Sequence, residues 1–511
     1  MASEHKRIAK NTLYLYLRMI LVLGVSLYSS RVLLQSLGVV DLGIYNLIGG
    51  IIVSLSFLNS SLAGASSRFI TYALGEGIVE KVRAYYATLQ FLHLALAILL
   101  LVVTQLFAHY LVYSILDIPV DRADTAFWLL QCSAISAAVS IIAVPDNSLI
   151  MAHERMDIYA YIAIGEAMLK LLSVCLLSYL DADRLLYFGV FTLVSQIIIR
   201  LAYLIVCRSK FKQERAKPRY DKAIGKEVLG FVGWNASGSL SVIGYTQGIN
   251  ILLNLFFGPV ANAARGFAVQ IQAAVENIIL GFQTAVRPQI IKQYALGNKE
   301  EVYKLVLISS KYGFFLTLLL VAPLFTSIEA ILRLWLGEVP PYTVGMSVMF
   351  LCVELVSPLK IPLLTAIHAT GNIRRFQIFE GGILLLVIPA AYLLLKFTSI
   401  SPSQVIGVYL LAECVAQLVR LYIVATQTGL SIRRYLYFLS PIVGVSTVLF
   451  VLGYVLRGYI TGPDLVAIGV RSLSVSALGI LTIYMIGLRR NERNQILGFI
   501  KAKLWKRPSK L

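Results

Sequence analysis

Long apolar runs separated by short polar joints set the pattern of this chain. Windows of about 20 apolar residues predict helical spans near 13–37, 42–66, 84–109, 124–150, 158–180, 185–207, 228–256, 262–286, 303–326, 342–369, 376–396, 403–426, 436–457 and 464–488. At ~1.5 Å per residue each is long enough to cross a hydrocarbon layer ~30 Å thick. The first run, Leu13 to Leu37, is too long for the core of a cleavable signal and reads as the first span.

The pattern is duplicated. From Asn11 to Gly77 two apolar segments are joined by Leu37-Gly38-Val39-Val40-Asp41 and closed by Tyr72-Ala73-Leu74-Gly75. From Trp234 to Gly297 two more are joined by Phe257-Gly258-Pro259-Val260-Ala261-Asn262 and closed by Tyr294-Ala295-Leu296-Gly297. Six spans separate the copies, an even number, so both share one orientation. Such repeats build many secondary transporters, with the axis along the membrane normal and the substrate between the halves. The expected fold is therefore an all-α polytopic membrane protein of about 14 transmembrane helices. Two six-helix lobes are related by a pseudo-twofold, and two extra helices follow. The expected divisions are an N-terminal lobe (1–207), a basic cytoplasmic linker (208–227), a C-terminal lobe (228–426), spans 13 and 14 (427–488) and a basic cytoplasmic tail (489–511).

Composition and charge agree with a membrane protein. The 511 residues are 58% hydrophobic and 14% charged, against about 25% charged in a soluble domain, and mean hydropathy is +0.79. With the N-terminus placed in the cytoplasm and the span-edge residues Lys304, Lys396 and Arg457 counted with their adjoining loops, cytoplasmic segments hold 31 of the 45 Lys and Arg and the outside loops five. This positive-inside bias puts both termini in the cytoplasm. It also accounts for the net charge of +19 without a nucleic-acid partner, as topology and attraction to the anionic inner leaflet. Arg208 to Lys226 reads as a linker on the cytoplasmic surface. In the tail, Ile496, Ile500 and Leu504 fit either a short interfacial helix or a disordered basic end. The five cysteines fall inside apolar runs without CxxC spacing and read as small hydrophobes. No metal-ligand spacing, phosphate loop, HExxH or Gly-x-Ser-x-Gly occurs. The expected protein therefore has no cofactor and draws on a proton or sodium gradient, or on its substrate's own gradient.

The first hairpin carries Asn11, Arg18, Arg31, Leu37-Gly38-x-x-Asp41-Leu42-Gly43-Ile44-Tyr45, Gly49-Gly50 and Arg68. Its echo carries Gly258-Pro259-x-Ala261-Asn262-Ala263-Ala264-Arg265. With fourteen spans, the chain resembles, over essentially its whole length, the Wzx-type oligosaccharide flippases of the multidrug/oligosaccharidyl-lipid/polysaccharide exporter superfamily. That resemblance implies a non-enzymatic transporter in a bacterial inner membrane. It would carry a polyprenyl-diphosphate-linked oligosaccharide outward for O-antigen, capsule or exopolysaccharide assembly, by alternating access around a cationic cavity. Its partners would be that lipid-linked substrate, membrane lipids and, by family analogy, a polysaccharide polymerase.

Charges inside the spans bear on the cargo, because each costs a few kcal/mol unless it faces water or a partner. Arg18, Arg31, Lys170, Arg200, Arg265, Lys311, Lys360, Arg420 and Arg471 oppose Asp146, Glu166, Glu276, Glu354, Glu380 and Glu413. The positive surplus favours an anion, and guanidinium forks suit a diphosphate. The candidate substrate-binding residues are Arg18, Arg31, Arg265 and Lys311. Arg18, Arg200 and Lys311 lie near cytoplasmic span ends, from which their side chains can also reach the headgroups. Glu276 and Glu354 are candidates for ion coupling, with a buried salt bridge as the structural alternative. Glu166 and Lys170, four apart, read as a pair on one helix face. The prolines within spans, Pro358 and Pro362 among them, are either hinges or packing kinks.

Three rival functions are weighed. A multidrug exporter on this fold places carboxylates rather than two arginines in its first span. A cell-wall lipid precursor flippase shares the fourteen spans and the cationic cavity, and remains open. A membrane polysaccharide polymerase would need a long outside loop, and none is present.

Overall fold

The computed structural model describes residues 2–460 and 465–494, and these are helical with no strand. The helices of the first half are α1 (Ala2–Leu55), α2 (Phe57–Gly75), α3 (Val79–Tyr110), α4 (Ala123–Ala152), α5 (Met156–Leu177) and α6 (Arg184–Lys210). Those that follow are α7 (Lys222–Ala295), α8 (Lys299–Leu336), α9 (Thr343–Glu354), α10 (Ser357–Thr370), α11 (Arg374–Leu385), α12 (Val387–Phe397), α13 (Pro402–Thr428), α14 (Ile432–Tyr459) and α15 (Leu465–Thr482). The tail stripe Ile496, Ile500 and Leu504 lies outside the described residues.

Among the described residues, twelve stretches are long and apolar enough to cross a membrane, and two of them, Arg18–Leu55 and Leu240–Gln283, carry an internal break. Those breaks are Gly38 (φ 77, ψ 175) and Gly258 (φ 70, ψ −172), a conformation open essentially only to glycine. Counting each broken stretch as two segments gives fourteen, the number read from the apolar runs.

The breaks also expose the register of the duplication. Gly38 and Gly258 stand 220 residues apart, as do the helix starts Val79 and Lys299, and Ala123 and Thr343. The later pair of starts, Arg184 and Pro402, stand 218 apart. Gly77 and Gly297, each with φ 75, close α2 and α7 with matching bonds to Leu74 O and Tyr294 O, both 3.0 Å. The repeated Tyr-Ala-Leu-Gly is thus two residues out of the structural register. Gly297 is the counterpart of Gly77, not of Gly75.

Packing divides the chain into two compact units. The first is Met1–Gly266 with Pro340–Tyr342 and Leu384–Val405, and the second is Phe267–Val339 with Thr343–Ile383 and Ile406–Leu511. The first unit's core joins Ile44, Leu47 and Ile48 of α1 to Leu89 of α3 and Leu129 of α4. Within this unit α1 and α7 approach closely. A Cβ on Gly43 would strike the Pro259 carbonyl, and one on Gly266 would strike Asn46. Asn46 and Gly266 are repeat mates, 220 apart. Asn262 Nδ2 donates to Asn250 O (2.7 Å) and Oδ1 (2.9 Å) beside this crossing, so small residues and amide bonds supply the packing that hydrophobicity cannot supply inside a bilayer.

The second unit's core joins Val306 and Leu318 of α8 to Leu363 of α10, Val445 of α14 and Val475 of α15. On α13, Leu411, Val415, Leu418 and Tyr422 are exposed along one stripe, while Glu413, Ala416 and Arg420 are buried. The apolar stripe is a lipid face and the charged one points inward, the reverse of a water-soluble helix. The turn between α9 and α10 follows from Pro358, which has no N–H to donate to Glu354. Pro362 likewise leaves the Pro358 carbonyl without a helical donor, and Gln283 Nε2 supplies one at 3.1 Å, the repair that membrane interiors require.

Candidate functional site

The first unit contains a half-open cavity of about 440 Å³, inside the ~300–1,000 Å³ range of small-ligand sites. Four helices each offer one face to it. Arg18, Val22, Val25 and Ser29 of α1 recur at helical spacing, as do Tyr159, Ala163, Glu166 and Lys170 of α5. Ala143 and Asn147 of α4, and Gln196, Arg200 and Tyr203 of α6, complete the wall. Three cations and one carboxylate therefore face the space.

The polar groups are partly held and partly unused. Arg18 Nη1 donates to the Tyr159 hydroxyl at 3.0 Å, with the guanidinium 4.9 Å from that ring's centroid. Arg18 Nε is buried without a partner, as is Asn147 Oδ1. Leaving such groups unsatisfied costs about 1–3 kcal/mol each, more when charged. The cavity thus offers a cationic donor for an anion and an acceptor for a hydroxyl. Glu166 accepts from Gln196 Nε2 at 3.0 Å, so its partner is α6 rather than the neighbouring Lys170 that its spacing predicts. Arg200 reaches the cavity from α6, anchored through Nη1 to Asp146 Oδ2.

Of the candidates read from the sequence, Arg18 lines this cavity and the other three binding candidates do not. Arg31 is half-buried, further along α1. Arg265 Nη2 donates to Thr246 O at 2.9 Å. Lys311 is fully buried and bound to both oxygens of Glu492, at 3.0 and 2.7 Å, with its ammonium 4.8 Å from the Phe438 ring centroid.

In the second unit Glu354 is the last residue of α9, at the turn before Pro358, and is 1% exposed. Its Oε2 accepts from Gln272 at 3.4 Å and its Oε1 has no hydrogen-bond partner. Glu276, half-buried on α7, is near enough to act on it electrostatically. Also in this unit, Lys360 Nζ lies 3.4 Å from Glu413, and Arg420 Nη2 lies 2.9 Å from Glu413 and 2.6 Å from Glu380. Sequence reasoning left this buried chain unassigned. Its one local signal is the seven-residue spacing of Glu413 and Arg420, which returns both to one face of α13.

Arg200 and Asp146 were missed as site residues for a related reason. Arg200 lies near a span end, where headgroup contact explains a charge equally well. Only the pairing of α4 with α6 shows that it faces a cavity.

No family model matches this chain, and no curated protein matches it. Solved structures share its fold. One is the inward-facing conformation of a multidrug resistance MATE family transporter of the MOP superfamily, with TM-score 0.70 and 15% identity over 82% of this chain and 98% of that one. Another is the lipid II flippase MurJ in an inward closed conformation, with TM-score 0.70 and 13% identity over 94% of this chain and 100% of that one. A third is a MOP superfamily transporter from Pyrococcus furiosus Vc1 (DSM3638), described by the reverse polarity of its binding pocket, with TM-score 0.62 and 16% identity over 82% of this chain and 96% of that one. The fold is thus the one shared by multi-pass transporters of that superfamily.

Proposed function

We propose that this protein is a flippase that carries a polyprenyl-diphosphate-linked oligosaccharide from the inner to the outer leaflet of a bacterial inner membrane, by alternating access and with both termini cytoplasmic. The observation that carries the reading is the first unit's cavity, where Arg18, Lys170 and Arg200 face one carboxylate, Glu166. A cationic drug would be repelled there. A diphosphate suits the guanidinium forks, and the unpartnered Asn147 oxygen suits a sugar hydroxyl.

The coverage of the relatives supports a lipid-linked cargo over a drug. The lipid II flippase spans 94% of this chain against 82% for the multidrug transporter. The share the latter leaves unmatched is about the size of everything after α13. A cell-wall lipid precursor is the second reading, since it presents the same diphosphate. Transport is coupled in this proposal to a proton or sodium gradient through Glu354, with Glu276 acting on its charge.

The test is a lipid extract from cells lacking the protein, with the initiating glycosyltransferase intact, analysed by mass spectrometry and probed for leaflet. A complete repeat unit on polyprenyl diphosphate should accumulate on the cytoplasmic side while surface polysaccharide disappears. Accumulated cell-wall precursor would favour the second reading, and neither accumulation would sink both.

A further inference from the structure

The segment from Phe211 to Asp221, between α6 and α7, is not loose chain. Arg83 Nε donates to Gln213 O at 3.1 Å, Arg219 N to Ala87 O at 3.2 Å, and Asp221 N to Thr88 Oγ1 at 3.4 Å. The Phe211 ring stacks on His153, centroids 4.4 Å apart. It is a strap tied along α3 and the α4–α5 corner.

Its deepest attachment is Arg215. The Arg215 Nε donates to the Tyr86 hydroxyl at 3.0 Å and lies 3.5 Å from Asp146 Oδ1, to which Tyr86 itself donates at 2.5 Å. Burial works against the Arg215 charge, but the Tyr86 hydrogen bond and the Asp146 carboxylate outweigh it and raise its pKa above the ordinary value. The other oxygen of Asp146, Oδ2, holds Arg200 on the cavity wall. One fully buried carboxylate therefore has two faces, Oδ2 toward the cavity and Oδ1 toward the strap.

We propose that Asp146 is a latch that couples anion binding in the first unit's cavity to docking of the 211–221 strap. The inference rests on reading that cavity as a diphosphate site. An anion in the cavity competes with Asp146 for Arg200. Were Asp146 left alone, it would be an uncompensated buried charge, which costs several kcal/mol. Arg215 prevents this, so a docked strap lets Arg200 turn to the ligand. By reciprocity a bound anion makes Asp146 depend more on Arg215 and holds the strap tighter. Because the strap runs from α6, which carries Arg200, into α7, occupancy of the cavity is reported to the start of the second repeat. Arg215, Tyr86 and Asp146 are positioning residues, since they act on the ligand through Arg200.

The experiment uses the full chain in nanodiscs of uncharged phosphatidylcholine, with inorganic diphosphate as probe. Calorimetry reads binding, and hydrogen exchange reads the amides of Arg219 and Asp221. In the wild type, saturating diphosphate should slow exchange at both amides. Arg215→Met should speed their exchange and weaken diphosphate binding about five-fold or more, within the usual range of coupling between sites, because Asp146 then falls wholly on Arg200. Asp146→Asn should also free the strap but tighten diphosphate binding, because Arg200 is released.

Opposite signs for the two substitutions are what a merely structural role would not produce. Should Asp146→Asn not fold, the wild-type protection and the partly exposed Arg215→Met still decide the matter. Binding that leaves the strap amides unchanged, or that Arg215→Met leaves intact, overturns the latch and spares the cargo reading. No diphosphate binding by the wild type overturns the cargo reading and the latch built on it.

Discussion

Arg420 has no exposed surface and divides its guanidinium between Glu413 and Glu380. Removing such a centre leaves two buried carboxylates with less charge to face, a loss of about 3–5 kcal/mol. Arg420→Met should therefore lower thermal stability sharply in a fluorescence melt. Adding Glu413→Gln and Glu380→Gln should recover most of it, because the charge then left in the group is Lys360, whose side chain is partly exposed. A triple variant as unstable as the single would show that the pairing is not what the site contributes.

His153 makes a different prediction. Burial lowers its pKa from the ordinary 6.5, and the neighbouring Glu214 at 3.6 Å only partly offsets that. The docked strap thus prefers a neutral His153, while an undocked one takes up a proton near the ordinary value. Docking is fully supported above about 6.5 and weakens as pH falls through that value. Protection factors of the strap amides, corrected for intrinsic exchange, should drop between pH 7.5 and 5.5, and His153→Asn should flatten the profile.

These residues also show what one-dimensional reading reaches. Arg18 was legible because an arginine in an apolar run demands either water or an anion. Lys311 gave the same signal and ended in an ion pair with Glu492, 181 residues away. No local spacing marks that partner.

At the scale of elements, the two breaks that make α1 and α7 double were legible as Gly-containing joints, because a sharp change of direction between long apolar runs requires glycine. Their cost is testable. A Cβ on Gly38 would meet nothing within 4 Å and one on Gly258 would meet only Asp117 Oδ2 at 3.4 Å, so the demand for glycine there is one of backbone rather than space. Gly38→Ala and Gly258→Ala should each cost about 1–3 kcal/mol, read as a lower melting temperature, with similar values for both if the repeats carry the break equivalently. Gly43→Ala provides the contrast, since its Cβ would meet the Pro259 carbonyl and force the backbones of α1 and α7 apart. It should be the most damaging of the three although φ at Gly43 is ordinary. The repeat itself was found from Tyr-Ala-Leu-Gly, yet the string is two residues out of step with the positive-φ glycines. Identity of letters located the duplication, and only backbone conformation could set its register. The strap was read as a basic linker because composition records charge and not hydrogen bonds. Of its residues, Arg215 is held inside by Tyr86 and Asp146, whereas Lys212 and Lys217 are exposed.

Across the whole molecule the two units carry different chemistry. The cavity of the first has a surplus of cations, while Glu354 in the second is a buried carboxylate on a broken helix, with one oxygen unpartnered and the nearby Glu276 adding negative charge. In the proposed function an anionic cargo and a coupling cation each need a site of opposite sign, and each unit supplies one from its own residues. This division predicts that the two functions can be broken independently. In proteoliposomes holding a polyprenyl-diphosphate oligosaccharide, Glu354→Gln should lower gradient-driven flipping by about ten-fold or more, equivalent to about 1.4 kcal/mol, while leaving diphosphate binding unchanged. Arg18→Ala should weaken binding and flipping together. Collapsing the proton gradient and the sodium gradient in turn then identifies the ion: the one whose loss reduces the wild type to the level of Glu354→Gln is the coupling ion. Should Glu354→Gln flip at the wild-type rate under both gradients, the carboxylate is a structural group at the helix break, and the cargo's own gradient drives transport.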